Sequence, residues 1–123
     1  MGTDKKVRCR MTFTDFERDL LQWFIDHSSS PTLTAQLIAA TPLSREYTGV
    51  GLYLDLSVPT SAQQLLPSDL SSPISGPQIS ARTLSMGAGC LLWLEKGFVN
   101  CVEVHTYMEA MFGDLDGYRF SAS

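Results

Sequence analysis

In SREYTGVGLYLDLSVP, Ser44 to Pro59, every second residue from Val50 to Val58 is aliphatic: Val50, Leu52, Leu54, Leu56 and Val58. Side chains alternate across a strand, so this spacing predicts a strand over about Tyr47 to Val58 with one face committed to a core. The other face carries Gly51, Tyr53, Asp55 and Ser57, with Gly49 just ahead. Glycines in a strand remove side chains where another backbone, a lid or a ligand comes close. What this second face meets is the functional question the chain poses.

Upstream lies cover for the first face. In TFTDFERDLLQWFIDHSSS, Thr14 stands at an N-cap with Glu17 at the capping-box spacing, which predicts a helix from about Asp15 to His27. Phe16, Leu20, Trp23, Phe24 and His27 form its stripe, and Trp23 and Phe24 are expected in the core. Ser30 and Pro31 predict the start of a second, shorter helix with Leu33, Leu37 and Ala40 on its buried edge and Pro42 as its stop.

Downstream, Pro59 to Pro77 holds four of the six prolines and has no sustained period. This predicts a long loop, mobile or only locally ordered. QISARTLS reads as a short strand, GAGCLLWLEKGFVNCVEVHTY as a hairpin, and Tyr118 to Phe120 as a short last strand. A three-residue loop at Glu95-Lys96-Gly97 would set Leu94 opposite Phe98. One hairpin face then carries Cys90, Leu92, Leu94, Phe98, Val102 and Val104 and joins the core. The other carries Leu91, Trp93, Val99, Cys101, Glu103, His105 and Tyr107. The order predicts an α+β fold, with two N-terminal helices packed on one face of an antiparallel meander of about four to five strands. Residues 1–123 read as a single domain, with 1–11 a flexible tail and 59–77 the long loop.

Composition bounds the function. The chain has 123 residues, 44% hydrophobic and 18% charged, with a net charge of -4. That is globular, and acidic enough to argue against nucleic acid as a partner. The only basic cluster is Asp4 to Arg10. No apolar run is long enough to span a bilayer, and no apolar stretch follows the charged N-terminus. No membrane association and a cytoplasmic location are expected, with Cys9, Cys90 and Cys101 reduced.

The candidate ligand or interface residues are Tyr53, Asp55, Trp93, Glu103, His105 and Tyr107, aromatic and polar groups on the second face. Catalysis is harder to place there. Cys101, Glu103 and His105 alternate on one strand, so Cys101 and His105 are about 13 Å apart, too far for a thiolate–imidazole dyad. Glu103 and His105 lack a third metal ligand. No phosphate-loop, dinucleotide or nucleophile-elbow motif occurs. No catalytic residue, metal or cofactor is expected. Arg45 and Glu46 read as an ion pair at the start of the strand.

SREYTGVG, the later GAG before a strand, and the glycine-turn hairpin running into Val102-Glu103 and Tyr107 resemble a group of small bacterial proteins of unknown function. Those proteins show Leu-Glu where this chain has Val102-Glu103. The resemblance covers roughly Ser44 to Tyr107 without the loop. It implies a stand-alone bacterial domain and brings no activity, cofactor or catalytic residue. Two function classes follow. One is a non-enzymatic interaction protein, a homodimer or the binder of a protein partner such as a toxin. The alternative is a small-ligand domain whose pocket on the second face is lidded by residues 59–77.

Overall fold

Thr14 starts the first helix with a reciprocal cap. Its hydroxyl accepts from the Glu17 N–H at 3.2 Å, and Glu17 Oε1 accepts from the Thr14 N–H at 3.0 Å. Two of the amide groups that a helix start leaves without partners are thereby satisfied. This helix, α1, spans Asp15–Asp26. Ser30 caps the second, α2, Pro31–Ala39, by accepting from the Leu33 N–H at 3.1 Å. The computed structural model describes residues 11–66 and 70–122. Apart from Met11, the expected tail lies outside the described residues, as do Pro67, Ser68 and Asp69 of the loop.

Seven strands are present among the described residues: β1 Thr41–Tyr47, β2 Gly51–Ser57, β3 Ile74–Ser75, β4 Gln78–Ala81, β5 Leu84–Glu95, β6 Phe98–Thr106 and β7 Arg119–Ser121. All pairings are antiparallel, in the order β1-β2-β6-β5-β4-β7, with β3 beside β5. The α+β class holds, but the sheet exceeds the expected four to five strands. It is also not a simple meander, because β6 inserts between β2 and β5. The extra strands are β1 and β3.

β1 arises because the chain turns back at Thr48–Val50, so that the segment before the expected strand pairs along it. Gly49 adopts φ 98, the Thr48 N–H donates to the Gly51 carbonyl at 3.0 Å, and β1 returns along β2. Val50 sits in this turn, 45% exposed, rather than on the core face. β1 is an edge strand, which is where Pro42 is tolerated. β3 comes from the end of the expected loop. Ile74 and Ser75 pair with Leu92 and Leu91, the Gly76 N–H donates to the Cys90 carbonyl at 2.8 Å, and β4 continues along the same edge of β5. The loop crosses from β2 past β6 and β5, about 14 Å of sheet width.

The β5–β6 turn has two residues, not three. Lys96 and Gly97 have φ 53 and 84, the two left-handed positions of a tight hairpin turn, and Glu95 faces Phe98. Leu94 therefore faces Val99 instead of Phe98. Left alone, this shift would swap the faces of β6. A bulge intervenes: Trp93 pairs with Cys101 while Leu94 pairs with Val99, so Asn100 is the extra residue. Beyond it, Cys90, Leu92, Val102 and Val104 share the core face as expected. Val99, expected on the second face, is instead buried in the core.

The core joins Phe16, Leu20, Leu21 and Phe24 of α1 and Leu33 and Leu37 of α2 to Leu52, Leu54, Leu56, Leu92, Val102 and Val104. Trp23, expected inside, is only partly buried and stacks on the exposed His27 with ring centroids 4.0 Å apart. A buried Gln36 ties three segments together. Its Nε2 donates to the Gln63 and Gly97 carbonyls at 2.8 and 2.9 Å, and its Oε1 accepts from the Val99 N–H at 2.9 Å. Gln36 and the buried Leu65 thus pin the loop to the hairpin tip on the helix side of the sheet.

Candidate functional site

Cross-strand pairing sets the geometry of the second face, because residues directly opposite one another in an antiparallel sheet point the same way. One row runs Glu46, Tyr53, Glu103, Leu91 across β1, β2, β6 and β5. The next runs Asp55, Cys101, Trp93, and a third Gly51, His105, Gly89. Tyr107 follows two residues after His105 and meets its ring edge-on at 6.1 Å. Tyr53, Asp55, Trp93, Glu103 and His105 therefore lie on one face of the sheet, opposite the helices, and Tyr107, just past the end of β6, adjoins it through His105.

The glycines of that face have local reasons. A Cβ on Gly51 would strike the Val104 carbonyl oxygen, so this glycine admits the chain's own β6 rather than an outside ligand. A Cβ on Gly89 would strike His105 Nε2, so the imidazole lies across β5 where the side chain is missing. Gly49 supplies the left-handed turn between β1 and β2.

Hydrogen bonds order the polar groups. Trp93 Nε1–H donates to Glu103 Oε1 at 3.0 Å, and Ser44 Oγ donates to Asp55 Oδ2 at 2.8 Å. Glu46, Asp55 and Glu103 take part in no ion pair among the described residues. Arg45 does not pair with Glu46 as expected. Neighbouring strand residues face opposite ways, and Arg45 reaches through the helix side to Glu17, with Nε–Oε2 at 2.5 Å and Nη2–Oε1 at 2.6 Å. Glu46 thereby stays on the second face. Sequence reasoning left it out of the site because β1 was not read as a strand.

Burial, reinforced by the hydrogen bond and charge of Asp55, pushes the Cys101 thiol up to about 12. Burial also pushes the Cys90 thiol up. Both stay protonated near neutrality, and the thiolate is the nucleophilic form. In a Cys9→Ser background, a soluble aromatic disulfide reagent at pH 8 should therefore label the native protein orders of magnitude more slowly than the urea-unfolded protein. Labelling at the unfolded rate would show an open, ionised thiol. Among the described residues no group of three or more His, Cys, Asp and Glu is placed to hold a metal. No described helix is long and apolar enough to cross a membrane.

The described part of the long loop runs elsewhere. It forms a cleft of about 330 Å³ at the hairpin tip, lined by Gln64, Leu65, Leu66, Leu70, Leu94 and Gly97, which includes none of the six candidates. No family model, no curated protein and no solved structure matches the chain.

Proposed function

We propose that the chain is a non-enzymatic interaction protein and that the second sheet face is its protein-binding interface. The observation that carries this reading is the exposure of the aromatic groups on that face: Trp93 is 37% exposed, Tyr53 42% and Tyr107 46%. Tyr and Trp bring large apolar area with a polar tip, which is why they concentrate in interfaces. The helices are spent on the opposite face, and Leu65, Leu70 and Ile74 of the loop pack with the core that the helices cover. The protonated Cys101 and the spacing of Cys101 and His105 supply no nucleophile–base pair.

Site-specific photo-cross-linking in cells tests the proposal. A benzophenone side chain in place of Tyr53 should give a discrete adduct of higher mass. The same group in place of the exposed Asp15, on α1, should give none. No adduct from position 53, or equal adducts from both positions, would end the interface reading.

A further inference from the structure

The charge of the second face distinguishes among its occupants. Glu46, Asp55 and Glu103 point from it, interleaved with Tyr53, Trp93 and His105. β1, β2, β6 and Gly89–Trp93 of β5 place no Lys or Arg there, since Arg45 turns to Glu17 on the other side. From this, resting on the interface reading above, we propose that the face binds a cationic segment of a partner protein, with arginine as the residue it fits best.

The chemistry is complementary at each point. Glu103 spends Oε1 on the Trp93 indole N–H, and Oε2 accepts no hydrogen bond from a described residue. Tyr53 stands directly opposite Glu103 on β2. A guanidinium entering here meets a carboxylate between two aromatic rings, where it stacks on a ring face and donates to the carboxylate together. Lysine offers the charge without the planar fork. Glu46, one strand beyond Tyr53, takes a second cation of the same segment, whose methylene stem lies on the Tyr53 ring.

A second copy fits poorly. A twofold contact centred on β1, β2, β6 and Gly89–Trp93 would set one copy's carboxylates against the other's with no Lys or Arg from those segments between them, and like charges facing each other across an interface oppose binding. Phosphate-rich nucleic acid is repelled for the same reason.

The test uses the full-length protein and three labelled peptides of equal length, with alternating Thr–Arg, Thr–Gln and Thr–Glu, read by fluorescence anisotropy. The Arg peptide should bind at least about tenfold tighter than the Gln peptide at low salt, and the Glu peptide should not bind. The preference should shrink about tenfold at about 0.5 M salt, where exposed charges are screened. Glu103→Gln and Glu46→Gln should each weaken Arg-peptide binding several-fold, while the paired control Asp15→Asn/Asp26→Asn on α1 leaves it unchanged. Glu46 is exposed, so its variant reports binding even if Glu103→Gln perturbs the fold. Equal binding of the Arg and Gln peptides, or equal loss in the control, would overturn the proposal. So would a position-53 adduct containing a second copy, or a cross-link within the chain to Lys5–Arg10. Failure of the peptide experiment with a discrete heterologous adduct at position 53 would remove the cationic partner and leave the interface. Absence of that adduct would remove the interface itself.

Discussion

Leu54→Ala should lower the unfolding free energy by about 2–5 kcal/mol, the range for truncating a buried leucine. Leu54 is 1% exposed in the second strand of the sheet. It pairs with Val102 on one side and Arg45 on the other, so both neighbouring strands close over it. Its removal loses apolar burial and leaves a cavity that a strand hydrogen-bonded on both sides cannot collapse into. Tyr53→Ala, one residue away, should cost about 1 kcal/mol or less, because its ring packs on the solvent side. Urea unfolding of the two variants measures the contrast, with a shifted midpoint and an unchanged slope marking a pure stability effect. A larger loss for Tyr53→Ala than for Leu54→Ala would mean that the faces are inverted. It would also remove the ground for treating Tyr53, Glu103 and Trp93 as an outward surface.

How far this surface was legible follows from which signals are local. Thr14 with Glu17, and Ser30 with Pro31, are contacts over three residues or fewer, and they mark both helix starts. Leu52, Leu54, Leu56, Leu92, Val102 and Val104 follow the two-residue period of a half-buried sheet, so their face could be read directly, and with it the residues opposite. β1 escaped because an edge strand with no fully buried residue leaves little period, and Pro42 reads only as the stop of the second helix. β3 escaped because Pro73 and Pro77 bracket only two paired residues. The hairpin misled more subtly. Lys96-Gly97 is a good two-residue turn, but that reading only puts Val102 and Val104 in the core if Asn100 bulges. Nothing at Asn100 announces a bulge, so a three-residue loop was the simpler way to reach the same faces, and Val99 was misplaced as a result. Gln36 carries no local signal of its role. Its partners are 27 to 63 residues away, beyond the reach of any local pattern. The exposure of Trp93 and Tyr53 depends on where the loop goes, which its composition does not encode.

Arg45→Met should be as damaging as a core truncation, at about 3–5 kcal/mol, because it strands a buried carboxylate. The Glu17 side chain is fully buried and that of Arg45 is 20% exposed. The guanidinium makes two bonds to the carboxylate and a third, from Nη2, to the Thr12 carbonyl at 2.9 Å. The pair therefore fastens the start of α1 to β1, an edge strand with few other ties to the helices. Glu17 Oε1 also accepts from the Thr14 N–H, so the same carboxylate closes the helix cap. With the cation gone, the buried carboxylate is left without its counter-charge or drags α1 open towards water. Glu17→Gln keeps the side chain's shape and the acceptor for Thr14, and it removes the charge that Arg45 balances. Combining it with Arg45→Met should recover at least about 1 kcal/mol relative to Arg45→Met alone, since a neutral amide is left in place of a bare charge. Chemical denaturation of the two single variants and the double variant gives the coupling. If Arg45→Met alone costs less than about 1 kcal/mol, the pair behaves like a screened surface ion pair, and the edge strand is held to the helices by something other than this contact.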